Sequence, residues 1–116
     1  MKAKEYQQLA AKYLIENQEH AYSSDETLIV WNALGLAGEA GEVANLVKKG
    51  VFHRHGLDKS SLKKELGDVL WYATTLCTYL GLDLGEVMKA NIDKLQLRYP
   101  AGFTFSDSKK RADLDH

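Results

Sequence analysis

Two stretches decide the fold: residues 34–49, LGLAGEAGEVANLVKK, and residues 62–73, LKKELGDVLWYA. Both repeat apolar residues at steps of three and four, which is the spacing of one face of an α-helix. The same periodicity continues outward from each stretch in both directions. The pattern predicts four helices, over residues 3–19, 26–49, 60–80 and about 84–98.

Residues typical of helix ends separate the predicted helices. Gly50, which follows two lysines, is predicted to end the second helix, and Gly81 to end the third. Residues 58–61 offer competing N-caps for the third helix, and Asp83 begins a sequence like a capping box for the fourth. Pro100 then stops the fourth helix.

The composition supports an all-α fold. Leu and Ala number 29 among the 116 residues, Val and Ile only 9, and there is one Pro. Four helices with short connections predict a four-helix bundle-like domain. We expect a single domain over residues 1–105 and a flexible tail over residues 106–116, which is polar and short of apolar anchors. A chain of this length buries a thin core, so we expect self-association.

Charge and hydropathy exclude some classes of function. Fifteen basic and sixteen acidic residues give a net charge of −1, which predicts no wholesale nucleic-acid binding. The longest strictly apolar runs are about five residues, as in residues 69–73, so no membrane span is predicted. The start of the chain lacks the layout of a signal peptide, and Cys77, the only cysteine, is predicted to be buried. The predicted location is the cytoplasm.

The chemistry of the chain is predicted to lie in its carboxylates. Three acidic pairs have i, i+3 spacing within predicted helices: Glu16/Glu19, Glu39/Glu42 and Glu65/Asp68. The first pair has polar neighbours and is predicted to be solvated. The other two lie among apolar residues, where four carboxylates would repel one another unless a cation lay between them. Such oxygen ligands suit Mg²⁺ or Mn²⁺. The alternative is that these acids line a solvated groove or pair with lysines.

Glycines accompany these acids. Gly35, Gly38 and Gly41 lie within one predicted helix, where each costs about 1 kcal/mol relative to Ala. We therefore expect another part of the chain to approach the helix backbone closely there.

Other polar groups share faces with the acids. Lys49 lies two turns after Glu42, and Tyr72 lies two turns after Glu65, so both are candidate substrate contacts. An amide and two cations form one stripe of the fourth helix and suit phosphate oxygens: Asn91, Lys94 and Arg98. The alternative for this stripe is a solvated charged face.

Three further features are predicted to be structural. The loop His53-Arg54-His55 offers two imidazoles without a third ligand and is predicted to be exposed. Trp31 and Trp71 could stack on a base, but both lie in apolar helical patterns, which favours a place in the core or an interface.

Residues 35–43 and 63–72 together resemble the MazG-like nucleotide pyrophosphohydrolases. Residues 90–95 and 98–103 resemble the end of the same domain, so the resemblance covers about residues 26–103. The double motif, ExxE followed by ExxD after 22 intervening residues, carries this assignment. It implies an all-α fold that assembles as a dimer or a dimer of dimers. It also implies Mg²⁺-dependent hydrolysis of nucleoside triphosphates to monophosphates and pyrophosphate, as in the house-cleaning of nucleotide pools.

The resemblance implies roles for individual residues. The four motif acids match metal ligands, and the stripe on the fourth helix matches groups that contact phosphates. Gly38 stands where some relatives have a further acid, so the general base stays open between Glu39 and Glu42. Two alternatives remain: an enzyme specialised for dUTP, dCTP or phosphoribosyl-ATP, and a catalytically silent helical module that binds nucleotides or a protein. The base and sugar preference is not fixed by the motif.

Overall fold

The structure is a computed structural model that describes residues 1–14 and 25–115. It contains five α-helices: α1 (Ala3–Ala10), α2 (Asp25–Phe52), α3 (Lys59–Tyr79), α4 (Leu84–Arg98) and α5 (Phe105–Lys110). Single 3₁₀ turns follow α1 and α5. Across the described ranges the only β-type pairing is an isolated bridge between Pro100 and Gly102. The prediction of an all-α fold is confirmed, with one more helix than expected.

The long helices α2 and α3 form an antiparallel hairpin with a regular register. The Thr75 hydroxyl donates to Asn32 Oδ1 at 2.7 Å, and one turn further along α2 the Tyr72 ring lies against Gly35. Each turn towards the end of α2 is therefore matched by one turn back along α3. The next turn after Gly35 carries Glu39, which this register places opposite the carboxylates in the first half of α3.

Helix α1 closes one end of the hairpin. The Gln7 side chain donates to the Leu82 carbonyl at 2.9 Å and accepts from the Leu84 N–H at 2.8 Å. The Trp71 indole N–H donates to the Ala10 carbonyl at 3.3 Å. Helix α1 thus ties the second half of α3 to the start of α4.

Three of the predicted helix ends are confirmed by their hydrogen bonds. Asp58 caps α3, where its Oδ1 accepts from the backbone N–H groups of residues 60 and 61 at 3.1 and 3.3 Å. Gly81 has φ 71° and ends α3 in a Schellman motif, with the Leu82 N–H bonded to the Cys77 carbonyl at 2.8 Å. Asp83 caps α4 by accepting from the Glu86 N–H at 2.9 Å.

The predicted end of the second helix is wrong. Helix α2 continues to Phe52, and Gly50 is buried within its last turn. The chain then folds back, and the Gly56 N–H donates to the Gly50 carbonyl at 3.2 Å. A Cβ at Gly50 would lie 2.7 Å from Leu57 and 2.8 Å from the Gly56 carbonyl oxygen. The glycine serves this close return of the loop and not the termination of the helix.

The two ends of the described chain also differ from expectation. The first predicted helix, 3–19, is α-helical to Ala10 and then forms a 3₁₀ turn to Tyr13; its remainder, with the pair Glu16/Glu19, lies outside the described residues. The segment predicted to be a tail contains α5, in which the Thr104 hydroxyl accepts from the Asp107 N–H at 3.0 Å. That segment therefore has regular structure, and its mobility stays a prediction.

The buried core is narrow, as expected from the chain length. Its apolar members include Leu28, Cys77 and Leu84, so the prediction of a buried thiol is confirmed. Many large apolar side chains are exposed, and the Cα radius of gyration is 17.5 Å, against about 13 Å for a compact domain of this length. One exposed apolar stripe, hereafter the outer α2 face, follows a 3.5-residue repeat: Val30, Leu34, Ala37, Gly41 and Ala44.

Within residues 1–14 and 25–115, no helix is both long enough and apolar enough to cross a membrane. The cytoplasmic location and the lack of nucleic-acid binding stay predictions.

Candidate metal centre

The α2–α3 hairpin brings three of the predicted carboxylates together. Glu39, Glu65 and Asp68 each offer an oxygen, and these oxygens lie within 4.8 Å of one another. Glu39 and Glu65 are half-buried and Asp68 is exposed, so the group opens to solvent on one side. We call these three residues the acid cluster. It forms because the i, i+3 pair on α3 faces the turn of α2 that follows Gly35.

The electrostatics of the acid cluster show a deficit of positive charge. A hydrogen bond with Glu65, burial, and the negative charges of Glu65, Asp68 and Glu42 together raise the pKa of Glu39 from 4.5 to about 7. Two carboxyl groups this close share a proton when no cation separates them. Three clustered carboxylate oxygens with no basic group among the causes of this shift match the donor set of Mg²⁺ or Mn²⁺. The residues present therefore fit a hard divalent cation.

Glu42 does not belong to the acid cluster. A step of three residues turns an α-helix by about 300°, so Glu42 is offset by about 60° around α2 and lies one turn beyond Glu39. Its side chain is exposed, and it acts on Glu39 through its charge. Of the four predicted metal ligands, the structure brings three into one group and leaves the fourth beside it.

One neighbour of the acid cluster was missed by the sequence analysis. Burial and the negative charge of Asp68 raise the pKa of the Tyr6 phenol, so the Tyr6 side chain reaches the region of the cluster from α1. In the sequence Tyr6 belongs to the apolar stripe of the first helix. No motif marks it, and only the packing of α1 on α3 reveals this position.

An aromatic cavity adjoins the acid cluster on the side of Gly35. Its volume is about 170 Å³, and its wall includes Tyr13, Leu28, Trp31, Asn32, Trp71 and Tyr72. The rings of Trp71 and Tyr72 meet edge to face, with centroids 5.1 Å apart. Asn32 is buried, where its amide donates to the Leu28 carbonyl at 2.7 Å and accepts from Thr75. Tyr72 therefore lies between the cavity and the acid cluster, while Asn32 holds the two helices together.

The predicted cationic contacts are not gathered at the acid cluster. Lys49 is exposed and borders a separate cavity at the loop end of the hairpin, together with His55 and Asp58. Asn91 and Lys94 are exposed on α4, and within the described residues no hydrogen bond joins them to the acids. Their roles towards phosphate stay predictions.

Arg98 is engaged with the end of the chain. Its guanidinium lies 5.0 Å from the centre of the Tyr99 ring, and Nη2 donates to the Ser108 hydroxyl at 3.4 Å. Its Nε is buried and has no hydrogen-bond partner in the described part of the chain. Arg98 therefore anchors α5 in this structure, and a contact with phosphate stays a prediction.

The loop after α2 carries no metal site among the described residues. His53, Arg54 and His55 are all exposed, and the two imidazole rings are 5.9 Å apart. Arg54 has φ 59°, which fits a tight turn after the helix. The prediction that these residues are an exposed loop is confirmed.

The raised pKa of Glu39 predicts how the metal-free protein responds to pH. Its carboxyl group holds a proton more tightly in the folded state, where the pKa is about 7, than in the unfolded chain, where it is near 4.5. This contribution to the free energy of unfolding is complete below pH 4.5 and is lost as the pH rises to about 7. In EDTA, we expect the urea concentration at the unfolding midpoint to decrease when the pH is raised from 5 to 8.

The substitution Glu39→Gln should flatten this pH dependence, because the amide does not titrate. Glu26→Gln, which changes an exposed acid in the first turn of α2, should leave it as in the wild type. A slope that persists unchanged in Glu39→Gln would refute the assignment to this carboxyl.

Comparison with known proteins gives a family match. Residues 30–103 match the model of the MazG nucleotide pyrophosphohydrolase domain. The Gene 37 protein of Mycobacterium phage L5 is 42% identical over 73 residues, which cover 60% of this chain and 64% of the phage protein. The dCTP pyrophosphatase 1 of Homo sapiens is 29% identical over 114 residues, which cover 93% of this chain and 65% of the human protein. The chain thus spans less than two thirds of either relative, and no solved structure matches it.

Proposed function

Because the chain belongs to the MazG nucleotide pyrophosphohydrolase family, we propose that it hydrolyses nucleoside triphosphates to nucleoside monophosphates and pyrophosphate. The observation that carries this proposal is the acid cluster. Two helices bring three carboxylates together there, with one oxygen from each within 4.8 Å of the others. A cluster of like charges beside an open aromatic cavity suits a substrate that brings both a metal-bound phosphate chain and a planar base. House-cleaning of the cytoplasmic nucleotide pool is the proposed role.

The acid cluster would hold Mg²⁺, with Mn²⁺ as a substitute, and Glu42 would complete its negative field. When bound, the cation shields the charge of the phosphate oxygens and stabilises the leaving pyrophosphate. Glu39 must give up its shared proton for this binding, so metal affinity should increase as the pH rises towards 8.

Glu42 is the proposed general base. It lies outside the acid cluster and is exposed, so its carboxylate is the least committed of the four acids. Water attacks the α-phosphorus, the bond from that phosphorus to the bridging oxygen of the β-phosphate breaks, and pyrophosphate leaves. The proton released by the water passes to the Glu42 carboxylate. Glu39 is the alternative base left open by the sequence.

We also propose that a second copy of the chain completes the site. Asn91 and Lys94 lie exposed on α4, away from any bond to the acids, and Arg98 contacts α5. The outer α2 face is apolar, and its residues are small from Ala37 onward, which suits close packing against another helix. A homodimer, or a dimer of dimers, would cover this face and bring cations from α4 to the phosphates.

A substrate panel tests the activity. Purified protein with Mg²⁺ is offered the common ribo- and deoxyribonucleoside triphosphates, and pyrophosphate and orthophosphate are measured separately. We expect pyrophosphate in equal amount with the monophosphate. Orthophosphate alone would contradict the proposed position of cleavage, and no turnover of any nucleotide would favour a silent binding module.

The same panel distinguishes a specialised enzyme. The similarity to human dCTP pyrophosphatase 1 makes dCTP the first substrate to test, and dUTP and phosphoribosyl-ATP are added to the panel. A preference above about a hundredfold for one of them would identify a specialised enzyme, and comparable rates would indicate a general one.

A further inference from the structure

Four glycines lie within the hairpin helices near the acid cluster, and in the described part of the chain only one of them lies against the side chain of a facing helix. A Cβ built at Gly35 would lie 2.5 Å from Cζ and 2.6 Å from Cδ1 of the Tyr72 ring. Cβ atoms built at Gly38, Gly41 and Gly67 would meet no atom of residues 1–14 or 25–115 within 4 Å. The expected close approach to the helix backbone therefore occurs at Gly35, and within the described residues it does not occur at Gly38 or Gly41.

The Tyr72 ring occupies the space that a side chain at position 35 would need. The Tyr72 ring lies between two other contacts that join α2 and α3, so the space available to it is limited. Asn32 and Thr75 are hydrogen-bonded one turn to one side, and the acid cluster lies one turn to the other. The ring also forms part of the wall of the aromatic cavity, where it meets the Trp71 ring edge to face. A displaced ring can move only into the cavity or force α2 and α3 apart.

We propose that Gly35 is a positioning residue for substrate binding. Because it has no side chain, the Tyr72 ring can lie against the backbone of α2 and form the wall against which the nucleoside of the triphosphate packs. This inference rests on the proposed function for its substrate, while the contact between Gly35 and Tyr72 is independent of it. Gly35 acts through Tyr72 and does not itself touch the reacting phosphate.

The substitution Gly35→Ala tests the proposal by separating KM from kcat. A misplaced cavity wall weakens binding of the substrate and of the transition state alike, which raises KM and leaves kcat nearly unchanged. We expect KM for the preferred triphosphate to rise at least about tenfold, the loss typical of one base–aromatic contact. We expect kcat within about threefold of the wild type and an unchanged Mg²⁺ requirement.

Gly38→Ala is the matched control. It lies in the same helix one turn away, makes the same chemical change, and gains the same helix propensity without meeting any atom. We expect its KM to stay within about twofold of the wild type. Equal KM values in Gly35→Ala and Gly38→Ala would overturn the proposal, as would a fall in kcat at constant KM in Gly35→Ala.

A double-mutant cycle identifies Tyr72 as the route of the effect. In a Tyr72→Ala background the ring is absent, so Gly35→Ala should no longer raise KM and should raise the urea midpoint of unfolding. In the wild-type background the same change should lower that midpoint. Equal effects in both backgrounds would refute the contact.

The unfolding measurements need no turnover, so the two proposals can fail separately. A wild-type protein that releases no pyrophosphate refutes the proposed function and the role of Gly35 in substrate binding. The cycle of urea midpoints then still decides whether Gly35 positions Tyr72.

Discussion

Replacing Asp68 with asparagine should lower kcat by about a hundredfold to a thousandfold while the helices stay intact. The amide keeps the size of the side chain and removes one of the three clustered charges. The exposed position of Asp68 means that no buried packing is disturbed. Steady-state kinetics at saturating Mg²⁺, together with circular dichroism, measure both halves of this prediction.

The same substitution should separate metal binding from folding. Without a cation, Asp68→Asn relieves repulsion on Glu39, so the urea midpoint in EDTA should equal or exceed that of the wild type. Addition of Mg²⁺ should raise the midpoint of the wild type, because a ligand of the native state stabilises it by mass action. In Asp68→Asn this increase should be much smaller.

Glu26→Gln provides the control, because it removes an exposed acidic charge from the start of α2, away from the cluster. Its turnover and its stabilisation by Mg²⁺ should match the wild type. Near wild-type turnover in Asp68→Asn would show that the acid cluster is not the metal centre. An equal loss in Glu26→Gln would show that net charge matters and not the cluster.

Leu34→Asp should convert the proposed homo-oligomer into a 13.0 kDa monomer. Leu34 is 68% exposed in the middle of the outer α2 face, so a charge there costs the isolated chain little. Across a packed helix interface, two copies of the same charge would be buried without counter-charge. Analytical ultracentrifugation of wild type and variant gives the native masses.

Met88→Asp tests a second exposed apolar surface, on α4, which includes Met88 and Ile92. Met88 is 53% exposed, so Met88→Asp introduces the same charge as Leu34→Asp at a similarly exposed position. We expect this variant to keep the native mass of the wild type. If Met88→Asp dissociates the protein and Leu34→Asp does not, the interface lies on α4 and the proposal for the outer α2 face is refuted.

Turnover of the Leu34→Asp monomer locates the phosphate-binding groups. If the second copy supplies Lys94, turnover should fall together with the mass. A fully active monomer would mean that the acids and cations act within one chain.

Much of the fold could be predicted from local patterns. The capping residues Asp58 and Asp83 predict where α3 and α4 begin. Gly81 predicts where α3 ends, because glycine readily adopts the left-handed backbone found there. A glycine after lysines is typical of a helix end, whereas Gly50 makes room for the returning backbone at Gly56. Helix α5 has six residues and no apolar periodicity, so nothing in its sequence distinguishes it from a tail.

The candidate site was predictable in kind and not in detail. The i, i+3 spacing of acids among apolar residues predicts a cluster, and three of the four acids form one. The separation of Glu42 depends on how α2 faces α3, which spacing along one helix does not determine. Gly35 and Gly38 are alike in sequence context, and only the ring of Tyr72, 37 positions further along the chain, distinguishes them.

The turn-by-turn register of α2 and α3 sets which length changes this protein can accept during evolution. An insertion in the loop at residues 53–57 lengthens the connection and leaves the facing turns in place. One extra residue between Gly35 and Glu39 would instead rotate the carboxylate by about 100° away from α3. Related chains should therefore differ in length within this loop and keep the helical segments on either side of it free of gaps.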